Sequence, residues 1–173
     1  MSTKRLTVVA LFTAIALIIF VIEAQLPPLA PIPGIKLGLA NIVSLFALFW
    51  LGKKEAFMIL ILRIILGSIF SGHGATFLYS LSGGLLSFII ILIFYRTFSI
   101  KALYIPSIIG GLFHNIGQLS CAIFILGEPR LLTYLPVLLI SGILTGLFTG
   151  LCAQYLINHN HFLQKPLQNI PMC

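Results

Sequence analysis

The sequence predicts an all-α integral membrane protein, folded as a bundle of six transmembrane helices. Three observations predict this fold class. Of the 173 residues, 60% are hydrophobic and only 8% are charged, whereas a soluble domain carries about 25% charged residues. The mean hydropathy is +1.16. Apolar runs approaching about 20 residues, the length that crosses a bilayer core, recur along the chain between charges and Pro or Gly clusters.

Six of these runs qualify as spans. The first follows Lys4 and Arg5 and is longer than the apolar region of a signal peptide, so we interpret it as a helix that stays in the membrane. The second and third lie on either side of Lys53 and Lys54 and are short, which predicts tilting or local thinning of the bilayer. The predicted spans, all in one domain covering residues 1–173, are 6–24, 37–51, 56–70, 75–95, 103–126 and 134–157.

The basic residues predict the orientation of the chain. With the N-terminus inside, seven of them fall in cytoplasmic segments and two in external ones, and cytoplasmic loops of membrane proteins carry the excess of Lys and Arg. Both termini are therefore predicted to be cytoplasmic. This distribution explains the net charge of +7 better than a nucleic-acid-binding face does. The cytoplasmic set is Lys4, Arg5, Lys53, Lys54, Arg96, Lys101 and Lys165, and the external set is Lys36 and Arg130.

Small residues indicate how the helices pack. Gly142, Gly146 and Gly150 recur every four residues on the sixth span, which favours close approach of another helix and predicts a central position for this span. Ala10 and Ala14 form a smaller ridge on the first span. That ridge suits a helix of this protein or of another one.

Polar side chains inside the spans need partners, because lipid offers none. Arg63 lies near mid-depth of the third span, and we expect it either to pair with helix carbonyls or Glu23, or to contact an anionic ligand. On the fifth span His114, Asn115 and Gln118 stand three and four residues apart and form one polar stripe. These three are either satisfied core residues or the lining of a pocket.

The segment between the first two spans is apolar and contains four prolines from Pro27 to Pro33. Prolines stiffen a chain toward polyproline geometry, so this loop, with Glu23, Gln25, Pro27 and Pro28, is predicted to be either a lid or a rigid linker. Lys36 and Asn41 follow it at the outer end of the second span. We predict a binding site for a small ligand that has an apolar body and an anionic or carbonyl end. The residues predicted to form it are Lys36, Asn41, Arg63, His114, Asn115 and Gln118.

Several chemistries are missing from the sequence. It has no G-x-x-x-x-G-K-[ST] motif, so an energised role requires a partner ATPase. It contains no Asp, and no span supplies His or Cys at ligand spacing, so we predict neither catalysis nor a metal or other cofactor.

Three motifs resemble the Gx transporter family, which is also described as the heptaprenyl diphosphate synthase component I family. They are EAQLPPLAPIPGIKLGLAN at residues 23–41, SLSGGLLS at 80–87 and HNIGQL at 114–119. The resemblance covers nearly the whole chain. It implies similarity to the substrate-binding (S) components of energy-coupling factor transporters, which are six-helix proteins of the bacterial cytoplasmic membrane.

The resemblance implies roles for the segments just described. The ridge of Ala10 and Ala14 would dock a coupling membrane subunit, which recruits paired ATPases. Substrate would enter beneath the loop that joins the first two helices, and an isoprenoid or quinone precursor is the expected substrate class, with a vitamin as the alternative. The family's second description implies another function, a noncatalytic membrane subunit that assists prenyl diphosphate or quinone synthesis.

Overall fold

The computed structural model describes residues 3–25, 36–71, 74–94 and 102–159. In this part of the chain all the regular structure is helical, which confirms the predicted all-α class. A short 3-10 helix, Pro129–Tyr134, leads directly into the last α-helix. The α-helices are α1 (Thr3–Ala24), α2 (Asn41–Trp50), α3 (Lys53–Ser71), α4 (Gly74–Phe94), α5 (Tyr104–Leu126) and α6 (Leu135–His159).

Four of the described helices are long and apolar enough to cross a membrane, namely α1, α4, α5 and α6 together with its leading 3-10 turn. They indicate a multi-pass membrane protein. Helix α3 is 19 residues long but carries Lys53, Lys54, Glu55 and Arg63. Helix α2 has only 10 residues, which is about 15 Å of helix and half of the ~30 Å hydrocarbon core.

The short α2 differs from the predicted span of residues 37–51. Gly38 has a φ of +83°, a left-handed conformation that glycine adopts without steric cost. The N–H groups of Asn41 and Ile42 then donate to the carbonyls of Gly38 and Leu39 in the turn that starts the helix. Residues 36–40, which we call the entry segment, are therefore non-helical.

The two halves of the bundle pack differently. Helix α1 lies against α3 and α2, and an ion pair of 3.2 Å between Arg5 Nη1 and Glu55 Oε1 joins the beginnings of α1 and α3. The rings of Phe12, Phe46 and Trp50 lie 5.6 to 5.8 Å apart and fill the space between α1 and α2. Helices α4, α5 and α6 follow in order, with α5 in the middle.

Helix α6 meets α5 along its glycines. Gly142, Gly146 and Gly150 are all buried, and a Cβ added to Gly146 would lie 2.7 Å from Ile108 Cα of α5. The predicted central position of this helix is wrong, because the glycines occupy one face only. The opposite face is exposed, with Leu144 at 62% and Phe148 at 61%.

Candidate functional site

The entry segment is held inside the bundle by side chains from other helices. The N–H of Lys36 donates to Gln118 Oε1 of α5 at 3.1 Å, and the N–H of Gly38 donates to Glu23 Oε1 of α1. The hydroxyl of Thr145 on α6, which donates to the carbonyl of Ser141 at 2.9 Å, also lies 3.5 Å from the carbonyl of Leu37. Unpaired backbone groups in lipid cost several kcal/mol, so these contacts are what permits irregular backbone here.

The position of Arg63 indicates how deep the entry segment lies in the bundle. Its Nη2 donates to Asn41 Oδ1 at the beginning of α2, and its side chain is only 4% exposed. Because Arg63 is near the middle of α3, which runs from Lys53 to Ser71, the entry segment ends near mid-depth of the bundle rather than at its outer surface.

The charges at the site do not balance. The buried carboxylate of Glu23 interacts electrostatically with Arg63 and Lys36. The ammonium of Lys36 lies 3.3 Å from the centroid of the Phe20 ring, a cation–π contact. With two basic side chains around one acidic side chain, the site has a formal excess of positive charge, which favours pairing with an anion.

His114 and Gln118 act as one unit on α5. Gln118 Nε2 lies 2.9 Å from His114 Nε2, and both side chains are buried. The Gln118 oxygen already accepts the Lys36 N–H, so its nitrogen is the donor to the imidazole. His114 is therefore neutral, with its proton on Nδ1, the ring atom that faces Gly83 of α4.

We refer to the side chains that meet here as the polar cluster. Five of the six residues predicted from the sequence to bind substrate lie in it, together with Glu23, which was assigned to the loop. The polar cluster consists of Glu23, Lys36, Asn41, Arg63, His114 and Gln118.

Asn115 lies outside the polar cluster, although it is adjacent to His114 in sequence. Its Nδ2 donates to the carbonyl of Leu138 at 2.6 Å and to Ser141 Oγ at 3.2 Å, both on α6. Asn115 thus joins α5 to α6. Gln25 is exposed at the end of α1, and the other two residues of the predicted lid, Pro27 and Pro28, lie outside the described residues.

A small cavity adjoins the entry segment on the side of α4, α5 and α6. Gly38 and Asn41 line it together with the hydroxyls of Ser87, Ser107 and Thr149, and its volume is about 20 Å³. That is room for one water molecule, whereas ligand pockets measure about 300–1,000 Å³. In this conformation the entry segment itself occupies the middle of the bundle.

Sequence reasoning missed the entry segment and the hydroxyl pair beside it. Ser107 Oγ and Thr149 Oγ1 lie 2.8 Å apart and join α5 to α6. The signal in the sequence was Gly38, three residues before Asn41, which marks a backbone turn inside a run that otherwise fits a helix.

The small-residue ridge of α1 lies on the outside of the bundle. Ala10 and Ala14 are exposed, while Val9, Thr13 and Ala16 face the interior. None of the described helices covers the ridge. Among the described residues there is also no group of three or more His, Cys, Asp or Glu side chains placed to hold a metal ion.

A comparison with protein-family models matches residues 12–156, most of the chain, to the family described as heptaprenyl diphosphate synthase component I. Searches of curated proteins and of solved structures return no match. The matched region contains the entry segment, every residue of the polar cluster and the glycines of α6. The chain belongs to the heptaprenyl diphosphate synthase component I family.

Proposed function

We propose that this chain is the substrate-binding subunit of an energy-coupled transporter and that the polar cluster is its binding site. The observation that carries the proposal is the entry segment, a short irregular stretch held near mid-depth by side-chain hydrogen bonds rather than by a helix. Such a stretch can leave the bundle without unwinding any helix. Its departure would open a path from one face of the membrane to the polar cluster.

The charges support an anionic substrate. When the entry segment moves out, Gln118 and Glu23 lose its N–H groups, and Arg63 loses Asn41 if α2 follows. A carboxylate or phosphate placed beside Arg63 would replace Asn41 with a stronger, charge-assisted partner. The segment that leaves would then close over the ligand, as a lid continuous with Gln25, Pro27 and Pro28.

The rest of the site supports an apolar body for the substrate. Leu37, Leu45 and Ile91 line the small cavity beside its hydroxyl groups. An amphipathic molecule fits this lining, with its anionic end at Arg63 and its hydrocarbon part toward α4 and α5. We therefore favour an isoprenoid or quinone precursor as substrate, and the description of the family points to the same chemistry.

The proposed topology has six membrane crossings with both termini in the bacterial cytoplasm. It is supported by the ion pair between Arg5 and Glu55, which places the beginnings of α1 and α3 at the same end of the bundle. The basic residues Lys53 and Lys54 lie at that end too. An excess of Lys and Arg is typical of the cytoplasmic side.

Ligand binding provides a direct test of the proposed site. Farnesyl diphosphate and 4-hydroxybenzoate are suitable probes, because they represent a prenyl diphosphate and an aromatic quinone precursor. We expect at least one of them to raise the melting temperature of the detergent-solubilised protein, since a ligand at 100 times its Kd stabilises the folded state by about 2.7 kcal/mol. The variant Gln118→Leu should abolish this rise.

The matched control is Gln154→Leu, the same change on α6 at a residue outside the polar cluster. It should keep the full ligand-induced shift. Equal shifts in Gln118→Leu and the parent protein would contradict the assignment of the polar cluster as the binding site. Native mass spectrometry of gently extracted protein then identifies the physiological ligand.

A second candidate function is favoured by the family description, which names a synthase component. In this case the chain is a noncatalytic membrane subunit that assists prenyl diphosphate or quinone synthesis. The two functions differ in their partners. A transporter subunit binds a coupling membrane subunit with its ATPases, whereas an accessory subunit binds a prenyltransferase.

Co-purification from membranes distinguishes the two functions when the parent protein is compared with a variant of the ridge on α1. We expect the parent protein to retain a coupling subunit and ATPases, and the double variant Ala10→Trp/Ala14→Trp to lose them, because two indoles prevent close helix approach. The control Leu144→Trp/Phe148→Trp has the same four-residue spacing on the exposed face of α6 and should retain them. Recovery of a prenyltransferase in place of ATPases would support the second function instead.

A further inference from the structure

A second small cavity lies beside the one that adjoins the entry segment. Its volume is about 10 Å³, and it extends toward α3. The two cavities share four lining residues, which are Asn41 and Leu45 of α2 and Ser87 and Ile91 of α4. Because the cavities have these walls in common, a shift of α2 that follows the departing entry segment would join them into one space beside the polar cluster.

The hydroxyl of Ser44 on α2 lines the second cavity without a partner. The residue is 6% exposed, and its Oγ has no hydrogen-bond partner in the described part of the chain. Other buried hydroxyls donate to their own helix, as Thr13 does to the carbonyl of Val9 at 2.8 Å. Buried polar groups are nearly always paired, because burial removes the water that would otherwise bond to them. Ser44 therefore indicates a partner that comes from outside the chain.

Ser87 on α4 brings a second hydroxyl to the same place. It is buried and lines both cavities. A Cβ added to Gly110 of α5 would lie 3.0 Å from Ser87 Oγ, so this glycine leaves the room that the hydroxyl occupies. The neighbouring hydroxyls of Ser107 and Thr149 are bonded to each other. Ser44 and Ser87, which we call the serine pair, line the second cavity together.

Both members of the serine pair lie about one helical turn from the level of Arg63. Arg63 donates to Asn41, and Ser44 follows three residues later on α2. A Cβ added to Gly84 would lie 3.9 Å from Arg63 Nη2, and Ser87 follows three residues later on α4. Helices α2 and α4 both run toward the end of the bundle where α3 begins, and three residues of helix rise about 4.5 Å. The serine pair is therefore on one side of Arg63, at a distance that a single aromatic ring bridges.

We infer that the serine pair binds an oxygen atom on the ring of the substrate, and that the substrate is an aromatic carboxylate with a hydroxyl or carbonyl group opposite the carboxylate. This rests on the proposed function, in which an anion binds at Arg63. The ring lies between Leu45 and Ile91, and its oxygen meets two hydroxyls that both donate and accept hydrogen bonds. A prenyl chain in the same place would leave both serines unpaired, which a site built around polar groups penalises strongly. The aromatic quinone precursor is thus favoured over the isoprenoid.

Calorimetric titration of the detergent-solubilised protein tests this inference. The probes are 4-hydroxybenzoate and benzoate, which differ only in the ring hydroxyl. We expect the parent protein to bind 4-hydroxybenzoate at least about tenfold more tightly than benzoate. The double variant Ser44→Ala/Ser87→Ala should bind the two probes within about twofold of each other, because methyl groups offer no hydrogen bond. The melting temperature of the ligand-free variant checks that it is folded.

The matched control is Ser68→Ala/Ser71→Ala, the same change at two serines of α3 whose hydroxyls donate to their own helix. It should keep the preference of the parent for 4-hydroxybenzoate. Equal affinity of the parent for the two probes, or no binding of 4-hydroxybenzoate, would overturn the inference, and so would a preference that persists in Ser44→Ala/Ser87→Ala. If farnesyl diphosphate still gives a melting shift that Gln118→Leu abolishes, the inference alone has failed. If that shift is absent as well, the proposed function has failed with it.

Discussion

Replacement of Arg63 with methionine is expected to lower the free energy of unfolding by about 2 kcal/mol, since a buried polar group left without its hydrogen-bond partner costs roughly 1–3 kcal/mol. The loss of the guanidinium leaves Glu23 with Lys36 as its nearest cation, and it leaves Asn41 Oδ1 without its donor. Methionine fills much of the same volume, so the loss reports on charge and hydrogen bonding rather than on a cavity. Chemical unfolding in detergent, followed by circular dichroism, measures it.

Two companion variants make this test specific. Arg130→Met removes an exposed arginine and should change the free energy of unfolding by no more than about 0.5 kcal/mol. Adding Glu23→Gln to Arg63→Met removes the carboxylate that interacts electrostatically with Arg63 and should restore about 1 kcal/mol or more, since interacting groups couple by roughly 0.5–3 kcal/mol. If Arg63→Met costs no more than Arg130→Met, buried Arg63 does not contribute to stability as described.

Replacement of Gly38 with valine is expected to expel the entry segment from the bundle. The residue has a φ of +83°, which a β-branched side chain rarely adopts. Its Cβ would also lie 2.7 Å from His114 Cδ2 and 2.8 Å from Asn41 Nδ2. The amides of Lys36 and Gly38 would lose their acceptors on Gln118 and Glu23.

Hydrogen–deuterium exchange measures this effect at the entry segment. We expect exchange of its amides to accelerate at least about tenfold. The reason is that the substitution lowers the free energy needed to undock the segment by at least about 1.4 kcal/mol. The matched control is Gly127→Val, since Gly127 also has a positive φ, +67°, but a Cβ there meets no atom within 4 Å. Exchange at residues 36–40 should be unchanged in the control. Unchanged exchange in Gly38→Val would show that the docked conformation does not depend on this glycine.

The helices could be predicted well and the polar contacts less well. The predicted starts of the fifth and sixth spans, residues 103 and 134, are each one residue from the observed starts of α5 and α6. The predicted beginning of the second span was wrong. Residues 37–40 are apolar enough for a helix, and the turn at Gly38 depends on partners far away in sequence. The third helix starts earlier than predicted, at Lys53, because charged residues belong in the first turn when that turn lies at the end of the bundle.

His114, Asn115 and Gln118 show why a polar stripe on one helix is not yet a site. All three residues are buried, as their position on an apolar span predicts. Yet His114 and Gln118 face the entry segment, while Asn115 faces the carbonyl of Leu138. Sequence spacing gives the angle between side chains on α5 but not which neighbour stands on each side of it.

Composition and the lengths of the apolar runs were sufficient to predict a helical protein of the membrane. The reason is that a backbone surrounded by lipid must satisfy its own hydrogen bonds, and a helix does so locally. The partners of the few polar side chains depended instead on how the helices dock. The bond from the Lys36 amide to Gln118 spans 82 positions in sequence, and no local pattern specifies a contact that exists only when α1, α3 and α5 surround the same stretch of backbone.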